Sequence, residues 1–232
     1  MAQAGKERNA NDDMNEGLFT REGVYEVGIG GDVKKLAEYY SKTADNYEEF
    51  CDNLGYSGIQ SFARIVERVQ PNKEARILDV AAGTGLFGKK LKELGYSAID
   101  ALDASQGMLD RARSGGIYKS YICSMVLPDQ KTQVPDNAYD VVCVCAGVTL
   151  GHISPKAVPE LIRMATSGGA VIFGVDCHEE VVKNDPDFKQ ETIEANLQAL
   201  VDTGKCTKWT KEVISFFISD DEHLPVYILN VA

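Results

Sequence analysis

The sequence lacks any long apolar run. Across its 232 residues, no stretch approaches the roughly 18 consecutive apolar residues that cross a bilayer. The first residues, MAQAGKERNANDDMNEG, also lack the apolar core of a secretory signal. These two absences predict a protein of the cytosol or nucleus without a membrane partner.

Cysteine is present, but not in the spacing that binds metals. The six cysteines, at positions 51, 123, 143, 145, 177 and 206, form no C-x-x-C pair. We therefore expect neither a zinc site nor a redox pair, and predict no metal cofactor. Cys143 and Cys145 alternate with valine in an apolar run, which is typical of core thiols in a reducing compartment.

Basic residues are scarce relative to acidic ones. The chain has 24 Lys and Arg against 35 Asp and Glu, a net charge of −11. Binding a nucleic-acid backbone depends on Lys and Arg that neutralise its phosphates. The charge balance therefore disfavours a nucleic-acid partner.

The length favours a single domain after a short tail. Residues 1–31 are polar with scattered apolar positions, which predicts a flexible N-terminal tail. Residues 32–232 are long enough for one domain and too short for two. Apolar residues at helical spacing predict two helices before Pro71, one from Asp32 through Phe50 and one over residues 59–69.

Strand-like and helical segments alternate after these helices. The apolar runs RILDV, SAIDALD, SYIC, YDVVCVCA and AVIFGVD are separated by helical or turn-rich segments, which is typical of a parallel sheet with crossover helices. Pro155 and the pair Gly168-Gly169 predict the start and end of one helix. Apolar spacing predicts another over residues 185–204.

The last two apolar runs do not follow this alternation of strands and helices. CTKWTKEVISFFI and PVYILNVA are joined by too few residues for a helical crossover, so they predict an antiparallel hairpin. The predicted fold class is therefore α/β, doubly wound and mostly parallel, with helices on both faces and a C-terminal antiparallel hairpin.

The stretch ILDVAAGTGLFG predicts a ligand-binding loop between a strand and a helix. It contains G-x-G-x-x-G at Gly83, Gly85 and Gly88, the fingerprint of dinucleotide-binding loops. Glycine permits the positive φ and close backbone approach that such a turn requires, although an ordinary tight turn is the alternative.

Asp79, four positions before the first glycine, argues against a dinucleotide. A pyrophosphate binds the amides and helix dipole at such a turn, and a nearby carboxylate opposes it. S-adenosylmethionine has an ammonium and a sulfonium group and no phosphate. Asp79 can assist its binding directly, through water or by orienting the loop amides. The alternative is that Asp79 only caps loop amides.

A second acidic position supports a nucleoside ligand. Asp103 ends the next strand, twenty residues after Gly83, where a carboxylate can accept hydrogen bonds from two ribose hydroxyls. Ser105 is predicted to cap a helix whose Met108 packs against the adenine. A second helix cap and plain core packing are the respective alternatives.

These motifs resemble a known family. LDVAAGTG, ALDASQGML and YDVVCVCAG, in that order and spacing, resemble the class I S-adenosylmethionine-dependent methyltransferases. The resemblance implies a Rossmann-like, seven-stranded sheet and S-adenosyl-L-methionine as the cofactor. It further implies cofactor-binding residues at Tyr40, Tyr47, Asp79, Ala81, Gly83, Gly85, Asp103, Ala104, Met108, Ser124, Met125 and Cys145.

The sequence departs from the family pattern at two positions. Ala81 replaces the usual first glycine of the loop, which is a small change. Ser124 stands where an Asp commonly contacts the adenine amino group. Its hydroxyl can accept the same hydrogen bond, and the Met125 amide can donate to the ring, but adenine discrimination is expected to weaken.

The catalytic group remains unknown from the sequence. The sulfonium already activates the methyl group, so alignment and exclusion of water can suffice. For an amine or hydroxyl acceptor, His152 after the fourth strand is the candidate base, and Asp176 and His178 after the fifth are further candidates. An ordinary loop histidine is the alternative for His152.

The segment from Leu36 to Phe50 is predicted to form a lid that the cofactor orders. It precedes the first strand, so it must cover a sheet edge or the crevice at the strand ends. Its tyrosines, which include Tyr40 and Tyr47, offer apolar faces with hydroxyls that suit an adenosine or methionine chain. Ordinary helix packing is the alternative.

Three functions remain open. The first is a methyltransferase that acts on a small molecule or a protein, and the second is a non-catalytic S-adenosylmethionine-binding protein that acts through a partner. The third is a nicotinamide-dependent dehydrogenase, which requires Asp79 to face an anion. Neither the acceptor nor the oligomeric state follows from the sequence.

Overall fold

The computed structural model describes residues 21–29, 31–53, 58–215 and 223–232. The helices, in chain order, are α1 (Arg21–Ile29), α2 (Val33–Asn53), α3 (Gly58–Val69), α4 (Leu86–Glu93), α5 (Gln106–Ser114), α6 (Val158–Met164), α7 (Glu179–Asn184) and α8 (Gln190–Asp202). The strands are β1 (Ile77–Val80), β2 (Ile99–Asp103), β3 (Tyr121–Cys123), β4 (Tyr139–Val148), β5 (Ala165–Val175), β6 (Cys206–Ser215) and β7 (His223–Val231).

The strands form one seven-stranded sheet in the order β3-β2-β1-β4-β5-β7-β6. Strands β1 to β5 pair in parallel, whereas β7 runs antiparallel to both β5 and β6. The predicted doubly wound sheet and its antiparallel C-terminal pair are both confirmed. The strand order reverses between β1 and β4, and a crevice opens at their carboxyl ends because the following chain leaves in opposite directions.

Helices cover the sheet because its central strands are mostly apolar. All four residues of β1 are buried, and Cys143 and Cys145 of β4 lie in the core, as predicted. Helices on both faces turn their apolar sides to the sheet: Phe62 and Val66 of α3 are fully buried on one face, as is Leu161 of α6 on the other. Burial on both faces accounts for the lack of polar alternation in these strands.

Two predictions about local structure are wrong. Residues 21–29, assigned to a flexible tail, form α1, whose Gly28 packs against the loop after β4. Residues 1–20 of the predicted tail lie outside the described residues. The helix after Pro155 ends at Met164, and Gly168 and Gly169 lie inside β5. The β5 pairing with β4 is irregular there, and Gly168 adopts φ 75°, so the glycines serve a strand irregularity rather than a helix end.

No helix among the described residues is both long enough and apolar enough to cross a membrane.

Candidate functional site: a ligand cavity at the carboxyl ends of the strands

A cavity of about 650 Å³ lies at the carboxyl ends of β1, β2, β4 and β5. Its volume falls in the range of small-molecule sites. The glycine loop after β1 forms one wall, and α1 and α2 contribute Val24, Leu36 and Tyr40 from the opposite side. Helices α1 and α2, which precede the sheet in the chain, therefore lie over the crevice where the strand order reverses.

The loop after β1 turns through left-handed backbone conformations. Ala81, Gly83 and Gly85 have φ values of 56°, 55° and 94°. A Cβ on Gly83 would meet only the Tyr47 ring, at 3.9 Å, so the loop backbone is open on the side that faces α2. Ala81 adopts a conformation that favours glycine, which is the residue the family usually has there.

Asp103 organises this loop from β2. One carboxylate oxygen accepts a hydrogen bond from the Gly83 amide and the other accepts one from the Ser105 amide, both at 2.8 Å. Burial raises the pKa of Asp103, while these backbone hydrogen bonds oppose the rise. Each oxygen keeps one further acceptor direction, so the carboxylate can still receive two donors from the cavity.

Asp79 lies behind the loop and does not line the cavity. Its carboxylate accepts a hydrogen bond from the Tyr118 hydroxyl at 2.6 Å. The side chain is 1% exposed, and burial raises its pKa to about 7. The bond to a loop amide that the sequence analysis considered for Asp79 is made by Asp103 instead.

Tyr118, which the sequence analysis missed, explains two glycines of the loop motif. A Cβ on Gly85 would lie 3.1 Å from the Tyr118 ring, and one on Gly88 would lie 2.4 Å from its hydroxyl oxygen. The ring therefore packs directly against the loop and the start of α4. No signal in the sequence near Asp79 indicated this partner, because Tyr118 is 39 residues away.

One polar group in the loop has no hydrogen-bond partner. The Thr84 hydroxyl is buried, the residue is 2% exposed, and it lines the cavity. A buried hydroxyl without a partner is costly. Its oxygen has less than 1 Å² of accessible surface, so the hydroxyl is enclosed by the loop and is not open to the cavity.

Helix α2 is held against α5 by a close contact. A Cβ on Gly107 would lie 2.5 Å from the Ser41 carbonyl oxygen, and the Ser41 and Ser105 hydroxyls are 2.8 Å apart. Ser105 also caps α5 by accepting from the Met108 amide at 3.1 Å, as predicted. The predicted lid segment thus lies across the start of α5.

A hydrogen bond joins α2 to the loop after β4. The Tyr40 hydroxyl lies 2.8 Å from His152 Nε2, and His152 Nδ1 lies 3.0 Å from the Leu150 carbonyl oxygen. Because that carbonyl can only accept, Nδ1 carries the proton and Nε2 accepts from Tyr40. Burial lowers the pKa of His152, which favours the neutral ring that this pattern requires.

The far end of the cavity contains an acidic residue and further histidines. Asp176 follows β5 and accepts from the Thr149 hydroxyl and from the His178 amide, both at 3.0 Å. His152, His178 and His223 are the three histidines of the chain, and all line the cavity. Sequence reasoning singled out the first two but not His223, because it begins the antiparallel strand β7.

Most of the predicted cofactor-binding and catalytic residues meet in this cavity. Those that line it are Tyr40, Tyr47, Ala81, Gly83, Asp103, Ala104, Met108, Ser124, Met125, Cys145, His152, Asp176 and His178. Asp79 and Gly85 do not, and both contact Tyr118. The lining also includes the unpredicted Thr84, Glu180 and His223. No cluster suited to a metal ion occurs in the described part of the chain.

Known proteins are similar to this chain in sequence and in fold. A family profile described as a methyltransferase domain matches residues 77–169. The chain is 26% identical to human Methyltransferase-like protein 27 over 75% of its own length and 69% of that protein. It is 31% identical to the malonyl-[acyl-carrier protein] O-methyltransferase of Buchnera aphidicola over 63% of its length, but spans only 56% of that protein. The structure of the plantazolicin methyltransferase BpumL in complex with SAH matches 91% of this chain and 99% of its own, with a TM-score of 0.55 and 12% identity.

The fold and the strand-end loop define a class I methyltransferase. The chain is a class I S-adenosylmethionine-dependent methyltransferase, and its methyl donor is S-adenosyl-L-methionine. Within this class, YYSKTADNYEEF, AVPELIRMATSGGAVIF and FKQETIEANLQALVDTG resemble the methyltransferase-like protein of the Williams-Beuren syndrome critical region. The match to Methyltransferase-like protein 27 agrees with that resemblance.

The residues present fit this cofactor. Asp103 offers two acceptor directions to a ribose, one on each carboxylate oxygen. Among the described residues that line the cavity, none is Lys or Arg. A pyrophosphate would therefore find no Lys or Arg among these described residues, whereas a sulfonium would meet carboxylates such as that of Asp103.

Proposed function

We propose that this methyltransferase acts on a small molecule enclosed between the glycine loop, α2 and the loop after β4. The observation that carries the proposal is the cover of the cavity. Gly28 of α1 lies so close to Gly151 that a Cβ on Gly151 would be 2.5 Å from the Gly28 Cα. Together with the bond between Tyr40 and His152, this contact shields the strand ends from a large partner.

The residues of the cavity have separate roles in this proposal. Asp103 binds the ribose hydroxyls, Met108, Ser124 and Met125 surround the adenine, and the loop amides near Gly83 hold the amino-acid end. Bound S-adenosylmethionine supplies a methyl group that its sulfonium already activates. The protein aligns the acceptor with that methyl group and excludes water, and both effects lower the barrier without a covalent intermediate.

The cofactor assignment and the acceptor size are tested separately. Titration calorimetry should show binding of S-adenosylhomocysteine and no comparable binding of NAD. Methyl-labelled cofactor is then incubated with a cell extract that has been divided by ultrafiltration into small molecules and proteins. Label in the small-molecule fraction supports the proposal.

A matched variant identifies the source of the label. Asp103→Ala should weaken cofactor binding at least tenfold and reduce labelling, whereas Asp110→Ala, at an exposed position of α5, should leave both unchanged. Label that appears in the protein fraction alone would overturn the small-molecule acceptor.

A further inference from the structure

The cavity is acidic at the end that is remote from the glycine loop. Three carboxylates line the cavity as a whole, those of Asp103, Asp176 and Glu180, and its described lining contains no Lys or Arg. Asp103 lies at the loop, where it bonds the Gly83 amide. Asp176 and Glu180 follow β5, which lies two strands from β1 in the sheet.

Asp176 keeps its negative charge available to a ligand. It receives one hydrogen bond on each oxygen, from Thr149 and from the His178 amide, and both donors are neutral. A carboxylate can accept about four hydrogen bonds, so each oxygen retains one acceptor direction. None of the ion pairs found between described residues involves Asp176.

The acidic groups of this lining favour some methyl acceptors over others according to the acceptor's charge. An acceptor that carried a carboxylate or phosphate would be desolvated beside Asp176 and Glu180, and no Lys or Arg of the described lining would pair with its charge, which is strongly unfavourable. A cationic acceptor would pair with Asp176 and gain a charge-assisted hydrogen bond. The net charge of −11 adds a field that attracts cations.

We infer that the methyl acceptor is an amine, bound through its nitrogen at Asp176. The inference rests on the proposed function and names the acceptor class for the same cavity. Tyr40 and His152 provide the base that an ammonium group needs before it can react. As one proton passes from the ammonium nitrogen to the Tyr40 oxygen, the Tyr40 proton passes to His152 Nε2, and the ring becomes an imidazolium.

Burial lowers the pKa of His152, and two neighbouring groups oppose this effect. Nδ1 remains bonded to the Leu150 carbonyl, and the Asp176 charge favours the protonated ring. The freed lone pair of the nitrogen then forms the bond to the methyl carbon as the carbon–sulfur bond breaks and its electron pair stays on sulfur. The positive charge that was on sulfur is now on nitrogen, beside the Asp176 carboxylate.

The test measures binding of three probes that share one skeleton. Protein saturated with S-adenosylhomocysteine is titrated with 2-phenylethylamine, 2-phenylethanol and phenylacetate, and the dissociation constants are compared. We expect the amine to bind at least tenfold more tightly than the alcohol, and the acid more weakly than both. Asp176→Asn should weaken amine binding at least tenfold and leave the affinity for S-adenosylhomocysteine within twofold.

Two further variants keep the test decisive. Glu179→Gln removes a neighbouring charge of α7 that does not line the cavity and should leave amine binding unchanged. Glu180→Gln alters an exposed helical position and should weaken amine binding even if Asp176→Asn fails to fold.

The outcomes separate the two proposals. Failure to bind S-adenosylhomocysteine would contradict the proposed function itself. Normal cofactor binding with no advantage of the amine over the other probes, including the case in which none of them binds, would overturn the amine assignment alone. So would amine binding that neither Asp176→Asn nor Glu180→Gln changes.

Discussion

The buried pair of Asp79 and Tyr118 makes the stability of the protein depend on pH. The pKa of Asp79 rises from 3.8 to about 7 because the carboxyl is buried. Between these values the folded chain holds a proton that the unfolded chain has released. Stability from this group is therefore greatest at low pH and falls as the pH rises from about 4 to about 7. A shift of about three pKa units corresponds to at most about 4 kcal/mol.

Tyr118→Phe removes the hydrogen bond to this carboxyl and keeps the ring that packs on Gly85 and Gly88. Above about pH 7, Asp79 is ionised and loses a charge-assisted bond, which contributes about 1.5 to 3 kcal/mol. Well below that pH the carboxyl is neutral, and the lost bond contributes only about 0.5 to 1.5 kcal/mol. The substitution should therefore cost about 1 kcal/mol more at the higher pH.

The assay is equilibrium unfolding in urea at about pH 5 and about pH 8, which lie on either side of the Asp79 transition. Tyr96→Phe is the control. Tyr96 is also buried, but its hydroxyl donates to the Gln70 carbonyl, which does not titrate, so its loss should be the same at both values. An equal loss for Tyr118→Phe at both pH values, or a larger loss at the lower one, would refute the reasoning.

Three further predictions concern the cavity. Asp103→Ala should weaken S-adenosylhomocysteine binding at least tenfold by calorimetry, since it removes charged acceptors; unchanged affinity with normal melting would reject the ribose role. Residues 36–50 should gain protection from hydrogen exchange when S-adenosylhomocysteine binds, because a lid opens to admit its ligand; protection confined to residues 79–88 and Asp103 would make α2 a fixed scaffold. Gly107→Ala should lower the free energy of unfolding by about 1 to 3 kcal/mol and increase hydrogen exchange in α2, even though alanine has a higher helix propensity than glycine. A stabilised variant would show that the backbone at Ser41 moves to accommodate the added methyl group.

Much of the fold could be predicted because it depends on local patterns. The strand of ILDV, the turn at Gly83 and the cap at Ser105 are determined by neighbouring residues, and all appear at the expected places. The pair Gly168-Gly169 was wrongly predicted to end a helix, because a glycine with positive φ occurs both at helix ends and at strand irregularities. Residues 21–29 were misassigned because α1 is stabilised by packing, as at Gly28, and not by a strong apolar pattern of its own.

The sequence by itself determined the strands and most of the helices in their order along the chain, the ligand loop and the acidic residue that follows it. Periodicity and glycine spacing act over a few residues, so they can be read without tertiary contacts. Only the tertiary structure decided which groups meet. Tyr118 reaches Asp79 from 39 positions away and Tyr40 reaches His152 from 112. Strand order and helix packing set those contacts, because residues distant in the chain become neighbours only when the sheet forms and its parallel strands end at one edge.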